Sequence, residues 1–61
     1  MRIEILKYHW RLVAKNYKTL AYSEQYSSPS NALRAGIKVA VDLYIPYVTF
    51  DDKGNKHVNY I

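Results

Sequence analysis

The chain of 61 residues contains no cysteine and only two glycines, two prolines and two histidines. Without cysteine it cannot form disulfides, a zinc ribbon or a thiol nucleophile. Two glycines are too few for a glycine-rich phosphate loop. Two histidines and five scattered carboxylates are also too few for a metal cage, so we expect no metal and no cofactor.

Long hydrophobic runs are missing as well. No apolar stretch approaches the ~18 residues that a transmembrane helix needs. The first six residues are too short for the hydrophobic part of a secretory signal. We therefore expect a cytoplasmic protein without a membrane partner.

The length limits the chain to one domain, residues 1–61. Its composition, 49% hydrophobic and 15% aromatic, is that of a globular protein. A core of this size rarely supplies more than ~3–5 kcal/mol without a disulfide, a metal or a partner chain. Because the first two are excluded, we expect a homodimer.

The net charge of +4 lies in the first third of the chain. Residues 1–22 carry five basic side chains and one acidic side chain, whereas residues 23–61 are neutral overall. Tyr8, Trp10, Tyr17 and Tyr22 are interleaved with these cations. Such a segment can bind nucleic acid or a nucleotide, because cations attract phosphate and rings stack on bases. The competing interpretation is an ordinary solvated sheet face.

Residues 7–24 alternate with the period of a half-buried β-hairpin. Asn16 and Tyr17 are predicted to form a two-residue turn. That turn needs a positive φ at Tyr17, where glycine is the usual residue, so a longer or bulged turn is the alternative.

The tight turn fixes a register in which the numbers of opposed residues sum to 33. The predicted core face then holds Trp10, Leu12 and Ala14. On the other face, Arg11 would lie over Tyr22 as a cation–π pair, and His9 would pair with Glu24. Val13 opposite Leu20 would form an exposed apolar island that something covers.

A change of parity interrupts the first strands. Ile3 and Ile5 are apolar at odd positions, but from Leu6 onward the apolar residues are at even ones. Either a bulge re-aims one long strand or a very tight turn separates two short ones. The sequence leaves both open.

A helix is predicted to start at Pro29, with Ser28 as its N-cap, and to end before Pro46. One buried stripe is expected from the apolar spacing Leu33, Gly36, Ile37, Ala40, Val41 and Tyr44. Gly36 in mid-helix predicts close packing on the sheet. A second apolar strip predicts the dimer interface: Ala35, Val39 and Leu43.

The last residues are typical of a closing hairpin. Strands are predicted over 47–50 and 57–61, on either side of a turn-rich loop at 51–56. Asp51 and Asp52 with Asn55 around Gly54 fit a turn much better than a calcium loop.

The order of these segments is similar to a known family. The run Trp10–Asn16 (WRLVAKN), the run Leu20–Ser28 (LAYSEQYSS) and the later Ala35-Gly36-Ile37 resemble the YegP-like family of small bacterial proteins, over about residues 3–41. That family reads roughly W-R-L-x-A-x-N-G, then I-A-x-S-E-G-Y-S-S, then a helix. Tyr17 and Gln25 stand where the family has glycine, and the loop after the first strand is shorter.

The resemblance implies a β-β-β-α unit, present twice in many members and once in others. Together with the residues it predicts an α+β fold: an antiparallel sheet packed by one helix, with the C-terminal hairpin added. A single-repeat member is expected to dimerise. The family supplies no activity to carry over.

No catalytic constellation is visible, so we expect no enzyme. Two functions remain. The first is a module that docks on a protein partner, which also suits a virus-encoded inhibitor of a host defence factor. The second is a binder of an anionic ligand, nucleic acid or a nucleotide, through the hairpin 7–22. The candidate residues for the two are Arg11, Lys15, Lys18, Tyr22, Tyr17, Val13 and Leu20. Seven tyrosines favour the protein-docking module.

Overall fold

The computed structural model describes residues 1–60 and contains five strands and one helix over that range. In chain order these are β1 (Arg2–Ile5), β2 (Trp10–Val13), β3 (Thr19–Tyr22), α1 (Pro29–Leu43), β4 (Tyr47–Phe50) and β5 (Lys56–Asn59). The α+β fold, the β-β-β-α order and the C-terminal hairpin are therefore confirmed. Ile61, the last residue of the predicted closing strand, lies outside the described residues.

The five strands form one sheet in the order β3-β2-β1-β4-β5. The β1–β4 pair is parallel, with Ile3 opposite Tyr47 and Glu4 opposite Val48, and the other pairs are antiparallel. The predicted antiparallel sheet of the β-β-β-α unit is thus formed by β1, β2 and β3, and the β1–β4 pair makes the whole sheet mixed. The parallel pair follows from the connection, since α1 carries the chain back across the sheet and β4 then runs beside β1 in the same direction.

A tight turn accounts for the change of parity between β1 and β2. The Leu6 amide donates to the His9 carbonyl at 2.7 Å, and Ile5 lies opposite Trp10. The chain thus forms two short strands rather than one long one. Ile3 and Ile5 face the same side as Leu12 and Trp10, because the turn reverses the alternation.

The β2–β3 hairpin has a three-residue loop. The Ala14 amide donates to the Lys18 carbonyl, and the Tyr17 amide donates to the Ala14 carbonyl. Tyr17 adopts φ 68°, the left-handed conformation that such loops place before the returning strand. The predicted two-residue turn is therefore wrong, and the longer turn is the one formed.

A bulge restores the predicted register beyond that loop. Val13 lies opposite Thr19, whereas Leu12 lies opposite Ala21, which leaves Leu20 as the extra residue. From Leu12 to Trp10 the pairing is as predicted, with Arg11 opposite Tyr22. The predicted Val13–Leu20 pair is not formed.

The helix starts and ends where the sequence indicates. The Ser28 hydroxyl accepts a hydrogen bond from the Asn31 amide at 3.2 Å, and Pro29 is the first helical residue. At the other end Tyr44 adopts φ 59°, and the Ile45 amide donates to the Ala40 carbonyl before Pro46. No helix within residues 1–60 is long and apolar enough to span a membrane.

The buried side of α1 differs from the predicted stripe. Its fully buried residues are the small ones at every fourth position, Ala32, Gly36 and Ala40. Three residues expected in the core are exposed instead: Leu33, Val41 and Tyr44. Val39, assigned by the sequence to the dimer interface, packs against the core of its own chain. The helix is rotated because small side chains let its backbone approach β1.

The core lies between α1 and the centre of the sheet. Ile3, Ile5 and Ala40 form its buried cluster, and Trp10 and Leu12 pack against it as predicted. A Cβ built on Gly36 would lie 2.6 Å from Cγ1 of Ile5. Close packing at Gly36 is therefore confirmed.

Candidate functional site

The sheet face opposite α1 carries three of the predicted binding residues, Arg11, Val13 and Tyr22, and we name it the open face. Strand alternation and register also place Arg2, Glu4, Val48 and Val58 on it. No helix covers this side within residues 1–60. Even so, Glu4, Val13 and Val48 are buried.

A carboxylate between two guanidinium groups occupies the middle of the open face. Glu4 accepts from Arg2 Nε at 2.9 Å through Oε2 and from Arg11 Nε at 2.8 Å through Oε1. Burial alone would raise the pKa of Glu4, but the hydrogen bonds and charges of Arg11 and Arg2 outweigh it and lower that pKa. The charge of Arg11 is therefore engaged within the protein.

Tyr17 stands at one end of the open face. The Arg2 guanidinium lies 4.8 Å from the centre of its ring, a cation–π contact that ties the β2–β3 loop to β1. The side chain nevertheless remains 75% exposed. A tyrosine with φ 68° occupies a conformation that favours glycine, so the loop holds this ring in place at a conformational cost.

The predicted docking residues divide into exposed and buried ones. Leu20 is 52% exposed and Tyr22 is 66% exposed, so both are accessible with Tyr17. Val13 is only 2% exposed, and its prediction as an accessible docking residue is wrong. It lies in the hydrogen-bonded register between β1 and β3, opposite Arg2 and Thr19, and its neighbours enclose it.

Two predicted contacts of this face are also replaced by others. Within residues 1–60, Arg11 makes no cation–π contact with Tyr22 because its guanidinium turns to Glu4. In the same range, His9 makes no ion pair with Glu24. The His9 ring instead lies 6.3 Å from that of Tyr22.

The basic residues of the hairpin do not form one continuous track. Lys7 extends over the Tyr8 ring at the β1–β2 turn, while Lys15 and Lys18 are exposed at the opposite end, in the β2–β3 loop. Arg11 between them is paired with Glu4, which it shares with Arg2. The seven predicted binding residues therefore lie along one hairpin without sharing a single site.

A cavity of about 290 Å³ opens on the open face and extends across β1 and β4, from the β2–β3 loop to β5. Arg2, Lys15, Tyr17, Lys56 and Tyr60 are among its lining residues, and Val48 and Val58 also line it. Sequence analysis missed Arg2, Lys56 and Tyr60 as binding residues. They are up to 58 positions apart in the chain, and only the parallel β1–β4 pair brings β5 near this loop.

A second cavity, of about 670 Å³, lies at the other end of the sheet. Leu33 and Phe50 contribute apolar surface, and Lys7 faces the same space as Asp51 and Asp52. Its charges are mixed, so it presents no field of one sign.

The predicted dimer strip on α1 is partly enclosed. Ala35 is half-buried, Val39 packs in the core and Leu43 is exposed. The exposed apolar side chains on the neighbouring side of the helix are Leu33, Val41 and Tyr44. They recur at spacings of eight and three residues and thus share one side.

Outside the open face, the titratable residues Asp51 and His57 make hydrogen bonds at the β4–β5 loop. Asp51 accepts from the Asn55 and Lys53 amides, and His57 Nε2 lies 3.4 Å from its second oxygen. The Asn55 amide, followed by the smaller effects of His57 and Lys53, lowers the pKa of Asp51. Within residues 1–60, no three His, Asp or Glu side chains come together as metal ligands would.

Comparison with known proteins gives one finding. The family model described as Domain of unknown function (DUF1508) matches residues 7–38, just over half of the chain. The matched part runs from the β1–β2 turn through β2 and β3 to the middle of α1. No curated protein and no solved structure matches the chain.

Proposed function

We propose, given that the chain belongs to the YegP-like family (DUF1508), that it is a small, non-enzymatic, homodimeric module that docks on a protein partner. The observation that carries this proposal is the exposure of Tyr17, Leu20 and Tyr22 beside the β2–β3 hairpin. Large rigid rings next to an aliphatic side chain are typical of interface centres. A virus-encoded inhibitor of a host defence factor would use the same surface.

The docking role is better supported than a nucleic-acid track along residues 7–22. A phosphate track needs several free cations in a row. Arg11 is bound to Glu4, and Lys7 is separated from Lys15 by the length of the hairpin. The exposed middle of the hairpin therefore offers rings and an aliphatic side chain rather than cations.

The non-enzymatic role is supported by how the reactive groups are used. Ser28 caps α1, and the Ser23 hydroxyl donates to the Glu24 carbonyl and accepts from the Trp10 amide. His57 and Asp51 meet across an exposed hairpin loop. Each of these groups has a local structural partner.

The homodimer is supported by the small core and by the apolar side of α1. Leu33, Val41 and Tyr44 are exposed on a helix whose domain has few buried apolar residues. A second copy that covers these residues would add the apolar burial that a 61-residue chain lacks. We therefore place the dimer contact on this side of the helix rather than at Val39.

Sedimentation equilibrium at micromolar concentration tests the dimer. The expected mass is about twice the chain mass of 7.2 kDa. Val41→Asp is expected to shift it to the monomer, whereas the exposed charge change Lys38→Glu leaves it a dimer. A monomer at every concentration, with a thermal transition that does not depend on concentration, contradicts the dimer.

Affinity capture from cells that encode the protein tests the docking role. Leu20→Asp and Tyr22→Ala are expected to lose a captured protein by about tenfold or more. Lys53→Gln, an exposed change in the β4–β5 loop, is expected to retain it. Identical captured proteins with all of these variants would contradict docking through this hairpin.

A further inference from the structure

We propose that the cavity between the β2–β3 loop and β5 binds a nucleoside monophosphate, with the phosphate on Lys15 and Lys56 and the base stacked on Tyr17. The site shares Tyr17 with the proposed docking surface, but the other docking residues, Leu20 and Tyr22, do not line the cavity. It is also remote from the apolar side of α1. Loss of nucleotide binding in variants of the cavity lysines can therefore be distinguished from loss of docking in variants of Leu20 and Tyr22.

The charge of this cavity favours an anion. Arg2, Lys15 and Lys56 line it, and none of its described lining residues carries a carboxylate. The charge of Arg2 is shared with Glu4 at 2.7 Å. Lys15 and Lys56 also line the cavity and make no ion pair within residues 1–60, so their charges are available to an anionic ligand.

The apolar and aromatic residues that line the cavity favour a ligand in which a ring is attached to that anion. Val48 and Val58 are a cross-strand pair on β4 and β5, and they give the cavity an apolar floor. Tyr17 and Tyr60 add two exposed aromatic rings. Cations beside aromatic rings are the pair of features with which proteins hold a phosphate and its base.

The conformation of Tyr17 is an independent indication. A φ of 68° in a three-residue hairpin loop favours glycine, so a tyrosine at this position has a conformational cost. The Arg2 guanidinium 4.8 Å from the ring centre holds the ring at the cavity. Backbone strain of this kind is concentrated at ligand sites, where the side chain has a role that offsets its cost.

The size of the cavity favours one nucleotide. Its volume of about 290 Å³ lies at the lower end of the range for small-molecule sites. It suits one phosphate and one ring, either as a free nucleotide or as one residue of a single strand. We commit to the free nucleotide, because Lys7 and Arg11 do not extend the cationic surface to neighbouring phosphates.

Calorimetric titration with adenosine 5′-monophosphate at low salt tests the site. Adenosine and inorganic phosphate, the two halves of this nucleotide, are titrated separately as controls. Saturable binding of the nucleotide is expected, with each half about tenfold weaker or more. A short single-stranded oligo(dA) is the second arm. Tighter binding of the oligonucleotide would overturn the assignment to a free nucleotide. No saturation by either probe, or equal binding of phosphate and nucleotide, would overturn the site.

Matched variants locate the binding. Lys15→Gln and Lys56→Gln are expected to weaken it about fivefold each, whereas Lys18→Gln and Lys53→Gln, which do not line the cavity, leave it unchanged. Equal effects of Lys15→Gln and Lys18→Gln would indicate a diffuse field and overturn the site.

Variants of Tyr17 distinguish an effect on nucleotide binding from an effect on folding. Tyr17→Gly is expected to keep or raise the melting temperature, because glycine relieves the positive φ, yet to weaken nucleotide binding about tenfold. Tyr17→Phe keeps the ring and is expected to retain binding. A glycine variant that binds as tightly as the wild type would exclude a stacking role for Tyr17.

Discussion

The two faces of the sheet are stabilised in different ways. On the face under α1, Ile3 and Ile5 pack against a helix whose small residues bring it close. On the open face, Glu4, Arg2 and Arg11 form a hydrogen-bonded charge network. Both faces bury side chains of β1, but within residues 1–60 only the first is covered by another element of secondary structure.

The comparison shows how a thin domain can leave one sheet face accessible. The Arg2 and Arg11 side chains reach Glu4, and their aliphatic parts add cover to a sheet face that no helix covers within residues 1–60. Tyr17 is held by Arg2 at the same end of that face. The open face can therefore bury Val13 and Val48 and still present exposed rings to other molecules.

The largest expected effect is on the covered face. Ile3→Ala removes a side chain with no exposed surface at the centre of the core, and it is expected to lower the free energy of unfolding by about 2–5 kcal/mol. Urea denaturation followed by circular dichroism measures this. Val58→Ala, at a half-exposed position, is the control and is expected to change it by less than about 1 kcal/mol. Equal losses would mean that the two faces do not differ in packing.

A smaller effect is expected within the open face, for two residues that the sequence pairs as an exposed island. Val13→Ser puts a hydroxyl in a buried position and is expected to cost about 2–3 kcal/mol. Leu20→Ser, at the bulge, is expected to change stability by about 0.5 kcal/mol or less. The same urea titration measures both variants. Similar midpoints for the two would contradict the assigned register.

Much of the fold could be predicted from local signals. Ser28, Pro29 and Pro46 mark the helix because caps and proline act on neighbouring backbone groups. The longer loop at Tyr17, given as the alternative to a two-residue turn, likewise depends on neighbouring residues alone. Such features need no knowledge of distant segments.

The rotation of α1 could not be predicted in the same way. Apolar spacing favours Leu33 and Val41 as core residues because they are large. The structure buries Gly36 and Ala40 as predicted, but it adds Ala32 in place of Leu33 and Val41, since small residues allow the close approach at Gly36. Which side of a helix faces a sheet depends on that distance, and periodicity carries no information about it.

The sites were predicted only in part for a related reason. Lys15 and Tyr17 belong to a hairpin and were identified from the sequence, but Lys56 and Tyr60 join them through sheet order. The capture of Arg11 by Glu4 likewise depends on the β1–β2 register, in which the two residues are directly opposed. Counting the net charge along the sequence treats Arg11 as an unpaired cation.

The smallest expected effect concerns acid and tests the network of the open face. The pKa of Glu4 is lowered in the folded protein, so its carboxylate stabilises the fold fully above its unfolded pKa of about 4.5. That stabilisation is lost as the pH falls through the lower pKa of the folded state. Glu4→Gln is expected to cost about 1–2 kcal/mol at pH 7, because two charged hydrogen-bonded partners remain near a neutral amide.

Urea midpoints of the wild type and Glu4→Gln, measured from pH 7 downward, should converge as the medium becomes acidic. Asp51 also has a lowered pKa, so Asp51→Asn serves as the matched carboxylate variant away from the open face. The difference between the wild type and Glu4→Gln should be the same in the Asp51→Asn background, because the two carboxylates belong to separate networks. Curves that stay parallel down to the acid transition would mean that the arginines are held by packing alone. The open face would then resemble the covered face, and the contrast between them would be lost.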